Sequence, residues 1–373
     1  MTVLGDDRQP ATAPTLTDGV VTLRPPSLAF ARGSYEQCQD PLSQRWTRVP
    51  VPYSMADAES YLGEVLPRGW AEDREWSFVL EHEGRYGGLM SLRNEGDGLA
   101  EVAYGSHPTV RGTGAVERGL RLLLEWGFAE RDLHTVLWRA NRGNWASRKV
   151  AWRLGFTVEG TVRSWLAQRG ELRDGWVGTL LRDDPREPRT PWLSVPLLEG
   201  EGLRLRAIGA GDAERIQQAC SEERTQRWLG QLPSPYSLDD AHTYIESRTQ
   251  QLAEGTGVTW AVTEGDDAIL GTIGWFDWQP GVQCEIGYWT HPDARGRGVM
   301  SRAMRLVTGH VVGELGVRRV TAYAAVDNTA SRHVIESAGF RQFGVERLGA
   351  NVREGRADLA LYDLLADEWS SRR

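Results

Sequence analysis

The sequence predicts a mixed α/β protein built from two copies of one domain. Three observations lead there. Most of the chain occurs twice in register. Each copy alternates strand-like stretches with apolar residues at helical spacing. A proline-rich stretch, Asp183-Asp-Pro185-Arg-Glu-Pro188-Arg-Thr-Pro191-Trp-Leu-Ser-Val-Pro196, separates the copies. At 373 residues there is room for two domains, each burying a substantial core.

Residues 1–17 read as a disordered tail. The first copy starts with an alternating strand at Val20-Val-Thr-Leu23-Arg24, matched by Leu203-Arg-Leu205-Arg206. Gln44-Arg45-Trp46 and Gln226-Arg227-Trp228 follow. Pro52-Tyr53-Ser54-x-x-Asp57-Ala58-x-x-Tyr61 then matches Pro235-Tyr236-Ser237-x-x-Asp240-Ala241-x-x-Tyr244. Ser with Asp three residues on is a capping box that opens a helix. Trp76 and Trp260 open strands, followed by Gly87 and Gly271. Each copy thus reads strand, two helices, several antiparallel strands, a helix after a glycine turn, strand, helix and final strands.

The longest match is Glu101-Val-Ala-Tyr104-Gly-Ser-His107-Pro108-Thr-Val-Arg111-Gly112-Thr-Gly114 with Glu285-Ile-Gly-Tyr288-Trp289-Thr290-His291-Pro292-Asp-Ala-Arg295-Gly296-Arg297-Gly298, an offset of 184 residues. A strand runs into a His-Pro turn, because proline fixes its own backbone and pushes its neighbour out of helix. Val299, Ala303, Leu306, Val307 and Val311 then recur at helical spacing. Glycines without side chains and the unpaired first-turn amides of a helix together make an anion site, with arginines suited to a diphosphate beside it. It is no P-loop, since no Lys-Ser/Thr follows, and no dinucleotide fingerprint, since the third glycine is missing. Arg111 to Asn144 and Arg295 to Asn328 are both 33 residues. Asn144-x-x-Ser147 and Asn328-x-x-Ser331 follow strands Val136–Trp138 and Val320–Tyr323, and their helices stop at Gly155-Phe156 and Gly339-Phe340. Helix capping alone accounts for an Asn-x-x-Ser. Two helix N-termini beside adjacent strand ends point further, to one long ligand between them. The domains are expected at 18–184 and 200–370, with 185–199 a semi-rigid extended spacer.

A net charge of −8 and a pI near 5.5 argue against a general nucleic-acid binder and favour a cationic small molecule or peptide. Of 43 basic residues, only Lys149 is lysine, which reads as coding bias. Cys38, Cys220 and Cys284 form no disulfide framework. An acidic start without an apolar run, and no stretch near membrane-spanning length, lead to the expectation of a cytoplasmic protein. No His/Cys spacing suggests a metal and no Gly-x-Ser-x-Gly a serine nucleophile.

Together these motifs resemble the GNAT superfamily of acetyl-CoA-dependent N-acetyltransferases, in its RimJ/RimL-type branch, and they do so in both halves. The resemblance implies two tandem GNAT domains, each a mostly antiparallel twisted sheet flanked by helices, with acetyl-CoA as co-substrate and no metal. In that family the turn binds the CoA pyrophosphate through backbone amides, and the preceding strand and the Asn-x-x-Ser contact pantetheine. Carried over, the cofactor-binding positions are Trp289, Thr290, Arg295, Gly296, Arg297, Gly298, Val299, Met300, Asn328 and Ser331, and in the first half Arg111, Gly112, Gly114, Asn144 and Ser147. The sequence departs from the family where Met300 and Val116 replace a small last motif residue. It departs also where Ile335 and Ala151 replace the tyrosine acid, and Tyr323 and Arg139 a glutamate base.

The resemblance implies acetyl transfer to a primary amine, on a peptide N-terminus or a small molecule, by direct attack. An amine attacks a thioester only when deprotonated, and N–H donors must meet the developing oxyanion. Glu285 and Glu101, at the start of the central strand, are the expected catalytic residues. A carboxylate merely paired with arginine is the other reading of each. Arg227-Trp228, Tyr236 and Trp275-Phe276-Asp277-Trp278 could line an acceptor cleft, although aromatic runs also build cores. His107 and His291 read as turn residues. A mycothiol-synthase-like reaction on a sugar-linked amine and a non-catalytic acyl-CoA binder are the alternatives. The C-terminal half is expected to bind CoA more tightly, because Arg297, Ser301 and Trp289-Thr290 stand where the first half has Thr113, Glu117 and Gly105-Ser106.

Overall fold

The computed structural model describes residues 13–265 and 267–371. It divides into two compact units, Met1–Arg189 and Thr190–Arg373.

In the N-terminal unit β1 (Leu16–Thr17) and β2 (Val21–Arg24) lead to helices α1 (Ala31–Gln39), α2 (Pro41–Trp46), α3 (Met55–Ser60) and α4 (Leu66–Ala71), the last two joined by a π turn at Tyr61–Val65. Strands β3 (Glu75–His82), β4 (Arg85–Gly96) and β5 (Leu99–Ser106) precede α5 (Ala115–Glu130). Then come β6 (Thr135–Asn141), α6 (Trp145–Arg153), β7 (Thr157–Gln168) and β8 (Glu171–Leu181). The sheet order is β1-β2-β3-β4-β5-β6-β8-β7, antiparallel throughout except for the β5–β6 pair. Residues 1–12 of the expected tail lie outside the described residues. Leu16 and Thr17 are strand, paired with Leu23 and Thr22, because Asp18 turns the chain by accepting from the amides of Val20 and Val21.

The C-terminal unit repeats the plan with β9 (Leu198–Gly200), β10 (Leu203–Ala207), α7 (Ala213–Ser221), α8 (Glu223–Trp228), α9 (Leu238–Glu254), β11 (Gly257–Thr263), β12 (Gly271–Gln279) and β13 (Gln283–Thr290). It ends with α10 (Val299–Gly313), β14 (Arg319–Ala325), α11 (Thr329–Ser337), β15 (Arg341–Val352), β16 (Gly355–Leu365) and α12 (Ala366–Ser370). Its sheet order is β15-β16-β14-β13-β12-β11-β10-β9. Both capping boxes form: Ser54 with Asp57 opens α3, and Ser237 with Asp240 opens α9. Where two helices per copy were expected, the Gln-Arg-Trp segments add the short helices α2 and α8. Carboxylates cap them, Asp40 accepting from the Ser43 amide at 2.8 Å and Glu222 from the Thr225 amide at 2.9 Å. No helix among the described residues is long and apolar enough to cross a membrane.

One core fills the space between sheet and helices in each unit. Leu120, Leu123 and Leu124 of α5 pack on Phe78, Leu80 and Met90; Ala303, Met304 and Val307 of α10 pack on Trp260, Val262 and Ile273. The ladders correct two sequence equivalences. Phe78 faces Met90 as Trp260 faces Ile273, so Trp260 matches Phe78, not Trp76. Gly88 faces Ser106 as Gly271 faces Thr290, so Gly88, not Gly87, matches Gly271. The copies differ in length by a residue or two in turns and bulges, and straight counting slips there.

Gly271 has φ of 153°, and a Cβ there would lie 2.3 Å from the Trp289 carbonyl oxygen and 2.9 Å from Met300 Cε. Backbone, not a movable side chain, blocks it. Gly271→Ala is therefore expected to destabilise the C-terminal unit by about 1–3 kcal/mol in chemical denaturation. An unchanged midpoint would contradict this packing.

Candidate active site

The central feature of each sheet is its one parallel pair, because the two strands stay together only briefly. In the C-terminal unit β13 and β14 are paired at Gln283–Arg319, Cys284–Val320 and Glu285–Thr321, and then part. Ile286–Thr290 still bond to β12 and Ala322–Ala325 to β16, so their facing edges are open toward each other. In the N-terminal unit the last pair is Val102–Trp138. Each gap opens at the strands' carboxyl ends, where α10 and α11, or α5 and α6, begin.

The glycine turns adopt the conformation their sequence implies. Gly296 (φ 74°) and Gly298 (φ 67°) are left-handed, as are Gly112 (79°) and Gly114 (84°), and a Cβ on any of them would meet nothing within 4 Å. Glycine is needed here for backbone angle and for open approach. Gly298 caps α10 without any side chain, so the first-turn amides from Val299 onward carry no cap. The N-terminal counterpart is partly filled: Thr113 Oγ1 accepts from the Ala115 amide at 3.2 Å, and Glu117 stands in the first turn. Glu117 also pairs with Arg121 (3.5 Å) and Arg153 (3.6 Å), which offsets some of its charge.

The motif arginines bind side chains at the starts of α8 and α2. Arg295 donates to Glu222 at 2.7 Å and to Thr225 Oγ1 at 2.8 Å; Arg111 donates to Asp40 at 2.5 Å and to Ser43 Oγ at 3.2 Å. These bonds hold both carboxyls at about 2, well below the usual range, with the arginine hydrogen bond the largest cause. Arg297 pairs with Glu264, which also binds Arg302 at 2.7 Å. Their charges are thus committed to the protein, and the backbone amides are the donors left facing the gap.

On the other wall Asn328 caps α11, its Oδ1 accepting from the Ser331 amide at 3.2 Å, and Asn144 does the same for Ser147. The Ser331 hydroxyl meets the Tyr288 hydroxyl at 2.9 Å, which also donates to the Ser331 carbonyl at 3.0 Å. Tyr104 and Ser147 repeat the bridge. Burial pushes the Tyr288 phenol up, and the Tyr104 phenol to about 12. This bridge across the gap was missed in the sequence, although the shared Tyr and Ser at matching positions signalled it. Trp289 buries its ring against α7 and α9, so only its backbone lines the gap. Met300 is core, and Thr290 is half-buried opposite Gly271.

The two glutamates have diverged. Glu101 lies between Arg93 (3.6 Å) and Arg139 (3.4 Å), the paired-carboxylate reading. The ladder positions that match Arg93 and Arg139 are Phe276 and Tyr323, and Asp277 follows Phe276 at a bulge. Among the described residues no ion pair or hydrogen bond reaches Glu285, and burial first, then the Asp277 charge, pushes its carboxyl up to about 7. It sits at the last paired position, where the gap begins. Of the aromatics expected at a cleft, Tyr236 and Trp275 are buried in the cores, Trp278 packs edge-on to Trp275 at 5.4 Å, and Arg227 stacks on Trp228 at 4.9 Å. His107 and His291 each cap a short turn, as expected.

The Acetyltransferase (GNAT) domain pattern matches the chain twice, over residues 21–157 and 202–341. The chain belongs to the GNAT acetyltransferase family, as a tandem of two domains of RimJ/RimL type. "Putative ribosomal N-acetyltransferase YdaF" of Bacillus subtilis is 31% identical over 177 residues, covering 46% of this chain and 96% of that protein. The ribosomal-protein-serine acetyltransferase of Escherichia coli is 24% identical over 172 residues, covering 45% and 94%. A solved RimL, the ribosomal L7/L12 alpha-N-protein acetyltransferase in complex with coenzyme A, aligns with a TM-score of 0.41 at 19% identity, covering 46% of this chain and 99% of that one.

A carboxyl raised in the folded state costs stability once it ionises: the cost is absent below its ordinary pKa near 4.5 and complete above about 7. Glu285→Gln should therefore stabilise the protein at pH 8, by on the order of 1 kcal/mol after discounting for solvent, and leave it unchanged at pH 4. Melting curves at the two pH values test this. Equal shifts at both would show that Glu285 ionises as an ordinary carboxylate.

Proposed function

We propose that the chain is an acetyl-CoA-dependent N-acetyltransferase whose C-terminal unit carries out the transfer to a primary amine, with Glu285 as its base. The observation that carries this reading is Glu285 itself, an unpaired carboxyl near neutral pKa at the mouth of a gap flanked by two helix N-termini. The amides of Gly296–Ser301 suit the diphosphate of CoA, and the open edge of β13 from Ile286 to Thr290 suits its pantetheine amides. The side-chain amide nitrogen of Asn328, whose Oδ1 caps α11, is a further donor at this wall. The acetyl group would arrive as a thioester.

The amine nitrogen attacks the thioester carbonyl carbon; the C–N bond forms as the C–S bond breaks, leaving the electron pair on sulfur. The amine's proton passes to Glu285, directly or through water, and sulfur takes a proton to leave as free thiol. A base near pKa 7 is ionised enough to accept that proton and strong enough to hold it. In the N-terminal unit Arg93 and Arg139 hold Glu101 as an ion-paired carboxylate, so transfer belongs to the C-terminal unit. The names of the relatives, a ribosomal N-acetyltransferase and a ribosomal-protein-serine acetyltransferase, support a protein or peptide amine as acceptor.

Thiol release from acetyl-CoA with a panel of peptides and small amines tests the activity. Glu285→Gln should lower kcat about 10²–10⁴-fold at pH 7, and the loss should shrink at high pH, where the amine deprotonates unaided. Wild-type turnover by the variant at pH 7 would end the assignment, whereas Glu101→Gln should leave turnover intact.

The turn is tested by calorimetry with CoA. Gly298→Val places a branched side chain in the open approach and should abolish tight binding; Gly114→Val should not, leaving one tight CoA per chain. Left-handed backbone costs a non-glycine residue about 1–2 kcal/mol, so melting curves must accompany the titration. Two equivalent sites, or binding lost only in Gly114→Val, would reverse the roles of the units.

A further inference from the structure

The N-terminal unit has a feature that catalysis does not use: two adjoining cavities between the loop after α2 and the tip of the β7–β8 hairpin. The larger, about 430 Å³, is lined by Arg48, Val49, Pro50, Gln168, Arg169 and Gly170 among others. The second, about 310 Å³, is lined by Arg45, Gln168, Arg169, Glu171 and Arg173. Gln168 and Arg169 are common to both. Buried Gln168 forms the wall: its amide donates to the carbonyls of Arg45 and Thr47, and its oxygen accepts from Asn141. Loop and hairpin tip are thereby fixed to each other.

The charge around these cavities is unbalanced. Arg173 pairs with Glu171 at 3.0 Å. Arg45, Arg48 and Arg169 are exposed, and none is paired with a carboxylate among the described residues. Arg45 only stacks on Trp46, at 4.6 Å. Arg48 and Arg169 line the larger opening and Arg45 and Arg169 the second, on a chain whose net charge is −8, so anions are drawn here against the general field.

The second copy is the control. Gly230 stands two residues after Trp228, as Arg48 does after Trp46, and a Cβ on it would lie 2.5 Å from the Val352 carbonyl carbon. The hairpin tip there packs onto the loop backbone. Arg353, the counterpart of Arg169, donates its backbone amide to the Arg227 carbonyl at 2.9 Å and its side chain to Gln226 and the Leu232 carbonyl. Arg173 has become Ala357. The place that is closed and satisfied in the C-terminal unit is open and cationic in the N-terminal one.

The geometry points to an anion-binding site here whose ligand is an acidic peptide segment. Guanidinium forks pair with carboxylates two bonds at a time. Two openings sharing Arg169, the larger also lined by Val49 and Pro50, fit carboxylates spaced along a chain with aliphatic stems better than one compact anion. The N-terminal unit would thus hold a substrate or partner protein by an acidic stretch, independently of whether Glu285 is the base.

The test uses the full chain and a labelled peptide of alternating Asp and Glu, blocked at both ends so that it offers no amine. The Asn/Gln peptide is its neutral counterpart. The acidic peptide should bind at least about tenfold more tightly, with affinity falling as salt approaches about 0.3 M. Arg48→Ala with Arg169→Ala should weaken binding about tenfold. Arg169→Glu should weaken it further, and Arg347→Ala on the other hairpin should not change it. Glu285→Gln should bind the peptide as wild type does, which separates this site from the catalytic reading. Equal affinity for the two peptides, insensitivity to the arginine variants, or binding of inorganic pyrophosphate without the peptide would overturn the proposal.

Discussion

Everything at the candidate active site depends on two parallel strands that pair for only a few residues. A sheet that kept its ladder would satisfy every amide on β13 and β14 and leave no room between them. By parting after Glu285 and Thr321 the strands keep their outer bonds to β12 and β16 and expose their inner edges. Those edges carry hydrogen-bonding groups that water or a polar chain must satisfy. The helices that follow each strand start at the open end, so their N-termini, α10 without a side-chain cap and α11 capped by Asn328, face the same space. The rest of each unit serves to keep that gap in shape.

Because the chain contains the scaffold twice, differences between the copies can be attributed to side chains and not to fold. Around the glutamate, the arginines at positions 93 and 139 have become Phe276 and Tyr323, and Asp277 adds a like charge beside it, which turns an ion-paired carboxylate into one held near neutral pKa. At the glycine turn, Thr113 closes one amide that Arg297 leaves free. At the hairpin tip the trend is the opposite, with cationic openings in the first copy and packed backbone in the second. The two copies share a backbone plan and differ in the side chains at these three places.

Much of this was legible in the residues. The duplication, the left-handed glycines, the capping boxes at Ser54 and Ser237 and the Asn caps at 144 and 328 are local chemistry, and local chemistry is written in short spacings. What escaped was set by partners far along the chain. Arg295 and Arg111 read as diphosphate ligands from sequence, yet each binds a carboxylate, 73 and 71 residues earlier. Whether Glu101 is free or paired depends on Arg93 and Arg139 of neighbouring strands, which only sheet order brings beside it. Counting by a fixed offset matched Trp76 with Trp260, because turns and bulges of unequal length shift the register unseen.

The ties from Arg295 to Glu222 and from Arg111 to Asp40 have a mechanical meaning. Each carboxylate has two duties, capping a short helix and holding the arginine of the glycine turn. The corner between α7 and α8 and the turn before α10 are therefore one rigid piece, as are their counterparts in the first unit. A displacement of the turn would load that corner as well. With these carboxyls held at about 2, the clamp keeps its charge pair well below neutral pH.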